Sequence, residues 1–195
     1  DSSGNGFDGN LMNGATFDSD SKEGGMSLSL DGVDDYVDLP SIDVNNGVDE
    51  MTITAWAKKT GGVGDARIIS KATGPQQIDH WWMLGYYQTN YVRFRLKTGS
   101  GTSTSMVFSD GAISASSWNH IAVVYDGSEM KIYLNGVQDT SVDPQTGDVA
   151  IDPNVDVYVG DNPGSMSRIL GGNIDDLRIY ERALSDQEIA NLASG

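Results

Sequence analysis

The stretch Trp118 to Gly136, WNHIAVVYDGSEMKIYLNG, limits what this chain can fold into more than any other. Ile121, Val123 and Tyr125 alternate with Ala122 and Val124. Asp126-Gly127-Ser128 then interrupts, and Met130, Ile132 and Leu134 resume the alternation before Asn135-Gly136. Period-two spacing sends successive side chains to opposite faces of a pleated strand, and Asp-Gly or Asn-Gly supplies the positive φ of a tight turn. The stretch is therefore predicted to be a β-hairpin. Its first strand is apolar on both faces, so it belongs in the middle of a sheet with something packed against it.

The remaining chain supplies more strands of the same kind. Ser27 to Leu39 reads as two short strands ended by Pro40, and Met51 to Lys58 as one long strand. In that strand Met51, Ile53, Ala55 and Ala57 face one way, and Thr52, Thr54 and Trp56 the other. Further strands are expected at Ala66 to Lys71, His80 to Tyr87, Tyr91 to Lys97, Met106 to Phe108, Val155 to Gly160 and Asn173 to Tyr180. Asp1 to Phe17, Gly61 to Asp65, Gly74 to Asp79, the Gly/Ser/Thr-rich Gly99 to Ser105, Asp139 to Asn154 and Asp161 to Gly172 read as loops. One helical signal closes the chain: Ser185 as N-cap, Glu188 as its capping-box partner, and Ile189 and Leu192 as the apolar side. This helix is expected on the rim. Strands at turn-rich spacing with no helices between them predict an all-β fold, an antiparallel two-sheet β-sandwich of jelly-roll type, in one domain over residues 1–195.

Composition then excludes several functions. The 28 acidic residues against 12 basic ones leave a net charge of −16, a field that repels DNA and RNA. Glu occurs only at 23, 50, 129, 181 and 188, so the acidity is mainly Asp, which suits turns, hard-cation sites or a solubilising surface. Zero Cys rules out disulfides, thiol catalysis and zinc-thiolate sites. No apolar run is long enough to insert in a membrane as a helix.

Five stretches together resemble the LamG-like jelly-roll domains of the concanavalin A-like lectin/glucanase superfamily. They are DSSGNGFDGNLMNGATF (1–17), SLDGVDDYVDLP (29–40), MTITAWAK (51–58), WNHIAVVYDGSEMKIYLNG (118–136) and GGNIDDLRIYERALSDQEIANL (171–192). Residues Gly61 to Asp110 carry no specific match. Such domains usually have an apolar strand just before the Asp-Ser-Ser-Gly-Asn-Gly loop. A chain starting at Asp1 is therefore expected to lack that strand or to be cut from a longer protein.

The resemblance implies a calcium ion joining the Asp1 to Asn10 loop to Ile174-Asp175-Asp176, with Asp1, Asn5, Asp175 and Asp176 as ligands. Calcium takes six to eight oxygens at about 2.3 to 2.6 Å, which Asp carboxylates and the carbonyls of a Gly/Asn-rich loop can offer. Read as an unbroken strand, the sequence puts Asp175 on one face with Leu177 and Ile179, where an uncompensated charge is costly. Arg178, Arg182 or loop N–H groups are the alternatives to the ion. Asp31, Asp34 and Asp35 offer a second acidic group, for which turn capping is the simpler role.

For ligands the informative pair is His80-Trp81-Trp82-Met83-Leu84 and Arg93-Phe94-Arg95. If Trp82 and Leu84 enter the core with Phe94 and Leu96, Trp81 lies on the other face with Arg93 and Arg95. An aromatic plate beside fixed donors suits an oligo- or polysaccharide, and the basic stripe suits an acidic one. His80, Tyr86, Tyr87 and Tyr91 would extend this platform. The competing reading packs Trp81 under a loop and pairs the Arg stripe with Asp79 or Asp110. Trp56 and Trp118 are read as packing residues.

Glycosidases need two carboxyl groups held at a fixed spacing, and no Glu-x-Asp-x-x-Glu strand motif is present. Neither His80 nor His120 has a nucleophile in a recognisable elbow, and there is no HExxH or P-loop. The sequence thus predicts a non-catalytic, calcium-braced carbohydrate-binding module of a secreted or cell-surface protein, with neighbouring domains as further partners. The alternative is a structural or protein-binding adhesion module without a sugar site.

Overall fold

The computed structural model describes residues 1–44, 49–99, 104–114, 116–165 and 167–195, the side chains of residues 140 and 141 excepted. Residues 100–103 of the expected Gly/Ser/Thr turn lie outside the described residues. Among the described residues fourteen strands and one α-helix follow in order, with a single 3-10 turn at Gln77–Asp79: β1 (Asn10–Met12), β2 (Thr16–Asp18), β3 (Ser27–Asp31), β4 (Tyr36–Leu39), β5 (Met51–Gly62), β6 (Arg67–Ala72), β7 (His80–Tyr87), β8 (Tyr91–Leu96), β9 (Ser105–Phe108), β10 (Asn119–Tyr125), β11 (Glu129–Leu134), β12 (Val137–Pro144), β13 (Val157–Val159), β14 (Leu170–Tyr180) and α1 (Asp186–Ser194). They form two seven-stranded antiparallel sheets, ordered β1-β4-β13-β6-β7-β8-β9 and β12-β11-β10-β5-β14-β3-β2. The architecture is the expected sandwich.

The alternation read from the hairpin decides the packing. β10 sits between β5 and β11, and all of its residues are buried. Ile121, Val123 and Tyr125 enter the core between the sheets, in one cluster with Leu84 and Phe94 of the other sheet. Ala122 and Val124 point outward and join Tyr133, Leu184 and Ile189 in a second apolar cluster. The helix therefore covers the outer face of β10 and β11 instead of the rim. It does so because that face is apolar and each buried aliphatic side chain contributes roughly 1.5–3 kcal/mol. The capping box of Ser185 and Glu188 starts α1, and Tyr133 Oη donates to Asp186 at 2.7 Å.

Five expected loops are partly strand. β1 forms inside residues 1–17 and β2 starts there and ends at Asp18, β5 runs on through Gly62, β9 starts at Ser105, β12 occupies the start of the acidic 139–154 stretch, and β14 begins at Leu170. These segments are too polar or too Gly-rich to show alternation, and pairing to a neighbouring strand holds them. β14 also contains a break that the sequence does not show. Asp176 has φ +46°, and the register to β5 shifts between Asp175 and Arg178. The bulge flips Asp175 to the outer face, across from Trp56, while Leu177 and Ile179 pack on the core. The expected shared face of Asp175, Leu177 and Ile179 is thus corrected.

Candidate ligand-binding face

The outer face of β6, β7 and β8 gathers four of the chain's six arginines, Arg67, Arg93, Arg95 and Arg168. Trp82, Leu84, Phe94 and Leu96 all enter the core, so alternation turns Arg93 and Arg95 outward, opposite Gly85 and Met83. Arg67, on β6, pairs with Gly85. A Cβ at position 85 would lie 2.4 Å from the Ala66 carbonyl oxygen and 3.2 Å from Arg67 Cα, so only glycine lets the Arg67 backbone come this close. Arg168 arrives from the loop before β14, its carbonyl accepting from Arg67 N at 2.8 Å.

Asp65 is the common counterion. Its Oδ1 accepts from Arg67 Nη1 at 3.3 Å and Arg93 Nη2 at 2.5 Å, and its Oδ2 lies 3.3 Å from Arg168 Nη1. Arg67 is fully buried and Arg93 is 5% exposed. Arg95 differs: its Nε and Nη1 are buried with no hydrogen-bond partner, as are Nε of Arg67, Arg93 and Arg168. Burial, and then the neighbouring guanidinium of Arg93, lowers Arg67 to about 9 and Arg95 to about 10.

Aromatic rings flank the cluster. The Arg93 guanidinium lies 5.6 Å from the centre of the Tyr87 ring, which packs on Phe108 at 4.7 Å. Trp81 is partly buried, with the Lys97 ammonium 4.1 Å from its ring centre and Lys97 Nζ donating to the Ile78 carbonyl. One face of the expected plate is thus already occupied by a cation. The loop after β13 folds over the sheet beside these groups, where Asn162 Oδ1 accepts from Ser70 Oγ at 2.9 Å and contacts His80 Nε2 at 3.0 Å.

Of the seven residues expected at the ligand, alternation puts Arg93, Arg95, Tyr91 and the paired Tyr87 on this face, and Trp81 is partly buried against the core beneath Lys97. Tyr86 shares the parity of Trp82 and Leu84 and is buried in the core. His80 is also fully buried, its Nδ1 2.7 Å from the Gln76 carbonyl, and burial depresses it to about 4, so it is a neutral structural group. Both are therefore corrected from platform to support. Sequence reading missed Asp65, Arg67 and Arg168. Only Arg67 left a signal, as a cation set in an apolar run before Ile68 and Ile69. Of the two acids expected opposite the Arg stripe, Asp79 instead accepts from Gln76 N in its own loop.

The expected calcium ligands divide into two groups. Asp1, Asn5 and Asp176 line one cleft of about 970 Å³, walled by Phe7, Leu39 and Ile179 among others. Asp175 is directed elsewhere: its Oδ2 accepts from Lys22 N and Glu23 N, and its Oδ1 from Asp176 N. Those N–H groups fulfil the alternative role foreseen for it, and Asp175 does not fit a calcium ligand. Asp1 accepts from Ser3 N and Phe7 N, and Asp176 Oδ1 from Arg178 Nε at 2.7 Å. Two carboxylates and a carboxamide with loop carbonyls nearby remain a donor set suited to calcium. Asp31, Asp34 and Asp35 also lie together, but Asp35 Oδ2 caps Asp31 N and Asp31 Oδ1 caps Val33 N, which is turn chemistry.

Comparison with known proteins gives a consistent picture. The Laminin_G_3 family model, described as concanavalin A-like lectin/glucanases superfamily, matches residues 31–190. Domain 4 of AbnA, a GH43 extracellular arabinanase from Geobacillus stearothermophilus solved with arabinotriose, superposes with a TM-score of 0.70 at 21% identity. The match covers 99% of this chain and 91% of that one. The CBM40 of the Ruminococcus gnavus IT-sialidase gives 0.61 at 20% identity, over 75% and 83% of the two chains. Pappalysin-1 of Mus musculus is 25% identical over 111 residues, 52% of this chain but 7% of that protein's length.

Proposed function

From the premise that this chain belongs to the concanavalin A-like lectin/glucanase superfamily as a Laminin_G_3 domain, we propose that it is a non-catalytic carbohydrate-binding module of a larger secreted protein. The observation that carries this reading is that Arg93 and Arg95 share the outer face of β8 with the Tyr87 ring against Arg93, while Trp81 lies under Lys97 at the start of β7. Sugar rings stack their C–H faces on aromatic rings, and their hydroxyls accept from guanidinium N–H groups whose direction is set by the strand. The fold neighbours support it, since one is a domain of an extracellular arabinanase solved with arabinotriose and another a module of a sialidase. A glycan array tests it: the chain binds a defined set of saccharides, and Trp81→Ala and Arg93→Ala reduce that binding. Unchanged binding in both variants moves the site elsewhere, and no bound saccharide rejects the reading. A hydrolysis screen on polysaccharides checks the non-catalytic part, with no turnover expected.

The proposal includes a calcium ion as a brace. Asp1, Asn5 and Asp176 would hold it at the cleft beside the N-terminal loop, where it ties that loop to β14. Its contribution there is charge neutralisation and loop ordering, and the ligand face does not depend on it.

A further inference from the structure

We propose that the saccharide taken by this face carries an anionic group, a carboxylate or sulfate, seated on Arg95 within the cluster of Arg67, Arg93, Arg95 and Arg168. This rests on the carbohydrate reading above and narrows it to one ligand class. Four of the chain's six arginines meet here, although the protein carries a net charge of −16. Dispersed over the surface they would pair with the abundant Asp. Concentrated around one shared carboxylate they repel one another, and taking such charges out of water is costly unless an opposite charge completes the group. Asp65 serves Arg67, Arg93 and Arg168. The other acid at the cluster, Asp161, accepts from Arg168 N at Oδ1 and keeps Oδ2 buried without a partner, and burial raises its pKa, so it offsets the cluster's charge less than an exposed carboxylate would.

The hydrogen-bond ledger points the same way. Buried N–H donors are almost always satisfied, yet this one patch holds Nε of four arginines and Nη1 of Arg95 without an acceptor. Arg67 and Arg93 are themselves more than nine-tenths buried, so water does not serve them freely. The planar fork of a guanidinium matches the two oxygens of a carboxylate or sulfate, and such charge-assisted pairs are about twice as strong as neutral ones. A neutral sugar hydroxyl offers one acceptor and no charge. The negative surface elsewhere disfavours nucleic-acid phosphate, which spreads its charge along a chain, whereas a single charged substituent enters the cluster alone.

The test uses oligosaccharides in matched pairs of equal length, uronate against neutral and sulfated against unsulfated, titrated calorimetrically with the wild type, Arg95→Gln and Arg168→Gln. The expected result is that an acidic member binds about tenfold or more tighter than its neutral partner, and that Arg95→Gln closes this gap by weakening the acidic member far more than the neutral one, with the melting temperature in place. Arg168, on the more exposed side, narrows the gap when changed to Gln. The uronate and sulfate arms identify which anion fits. Equal affinity within every pair, unaltered by either variant, overturns the anion assignment and leaves the carbohydrate reading standing. Binding to polyglutamate with none to any saccharide overturns both.

Discussion

Arg93 Nη2 donates to Asp65 Oδ1 at 2.5 Å, whereas Arg95, two residues along the same face of the same strand, keeps Nε and Nη1 buried with no acceptor. One cation of this pair is anchored by a carboxylate and the other is not. Opposite stability effects follow. Asp65→Asn leaves three guanidinium groups without their carboxylate and is expected to cost about 2–4 kcal/mol, the upper part of the buried-pair range being reduced because Asp65 is a quarter exposed. Arg95→Gln removes a charge that has no partner and is expected to leave stability unchanged or raise it. Urea midpoints of the two variants decide, and an equal loss in both would make Arg95 a packing residue.

Gly85 holds the cluster together through its missing side chain. Gly85→Ala places a methyl group 2.4 Å from the Ala66 carbonyl oxygen and 3.0 Å from Met83 Cε, and backbone does not yield as a side-chain tip does. The overpacking cost is expected at about 1–3 kcal/mol. Because β6 must move away from β7, saccharide affinity should fall at temperatures well below the melting point. A variant that loses stability but keeps full affinity would separate Arg67 from ligand binding.

Two buried histidines make stability pH-dependent. His80 and His120 are each depressed to about 4, chiefly by burial and then by Arg67 and Arg178 respectively, against an ordinary value of 6.5. The unfolded chain takes up protons near 6.5 that the folded chain refuses until about 4. This contribution is therefore complete above pH 6.5 and lost as pH falls to 4, by roughly 3 kcal/mol per histidine. Glu188, lowered to about 2 by Arg182 and the Ser185 cap, acts at more acid pH than this window. Chemical denaturation at pH 7 and pH 4.5 should show the drop, and His120→Gln, which removes the ring packed edge-on against Trp56, should flatten it. A parallel decline in wild type and variant would contradict the assignment.

Neighbouring acids on β14 separate calcium from architecture. Calorimetry with calcium and thermal melts in EDTA should show heat and a lowered melting temperature for the wild type, and Asp176→Asn should lose both responses. Asp175→Asn instead weakens the acceptor for three backbone N–H groups. It is expected to destabilise by about 1–3 kcal/mol with calcium or without it. No heat and no EDTA effect in the wild type would remove the ion from the proposal.

Over the other sheet, Ile189 of α1 is fully buried against Ala122, Val124 and Tyr133. Ile189→Ala should cost about 2–5 kcal/mol, and saccharide binding at 25 °C should be unaffected, since the helix covers β10 and β11 on the far side of the molecule. A matched loss of affinity would show that the two faces are coupled.

The residues of β10 and β11 determine the sandwich without help. Their period of two is a local property, and burying both faces of β10 demands a second sheet on one side and α1 on the other. The same parity argument places Arg93 and Arg95 outward from Trp82, Leu84, Phe94 and Leu96. It fails wherever a bulge adds a residue: Asp176 takes a positive φ where the register to β5 shifts, and this parts the face of Asp175, across from Trp56, from that of Leu177 and Ile179. It is also silent on contacts between distant residues. Asp65, Arg67, Arg93 and Arg168 span more than half the chain, and nothing in the neighbourhood of any one of them names the others. Periodicity is written residue by residue and can be read from the sequence. The charge cluster exists only because three strands and two loops close on one point, and that was decided by the tertiary structure.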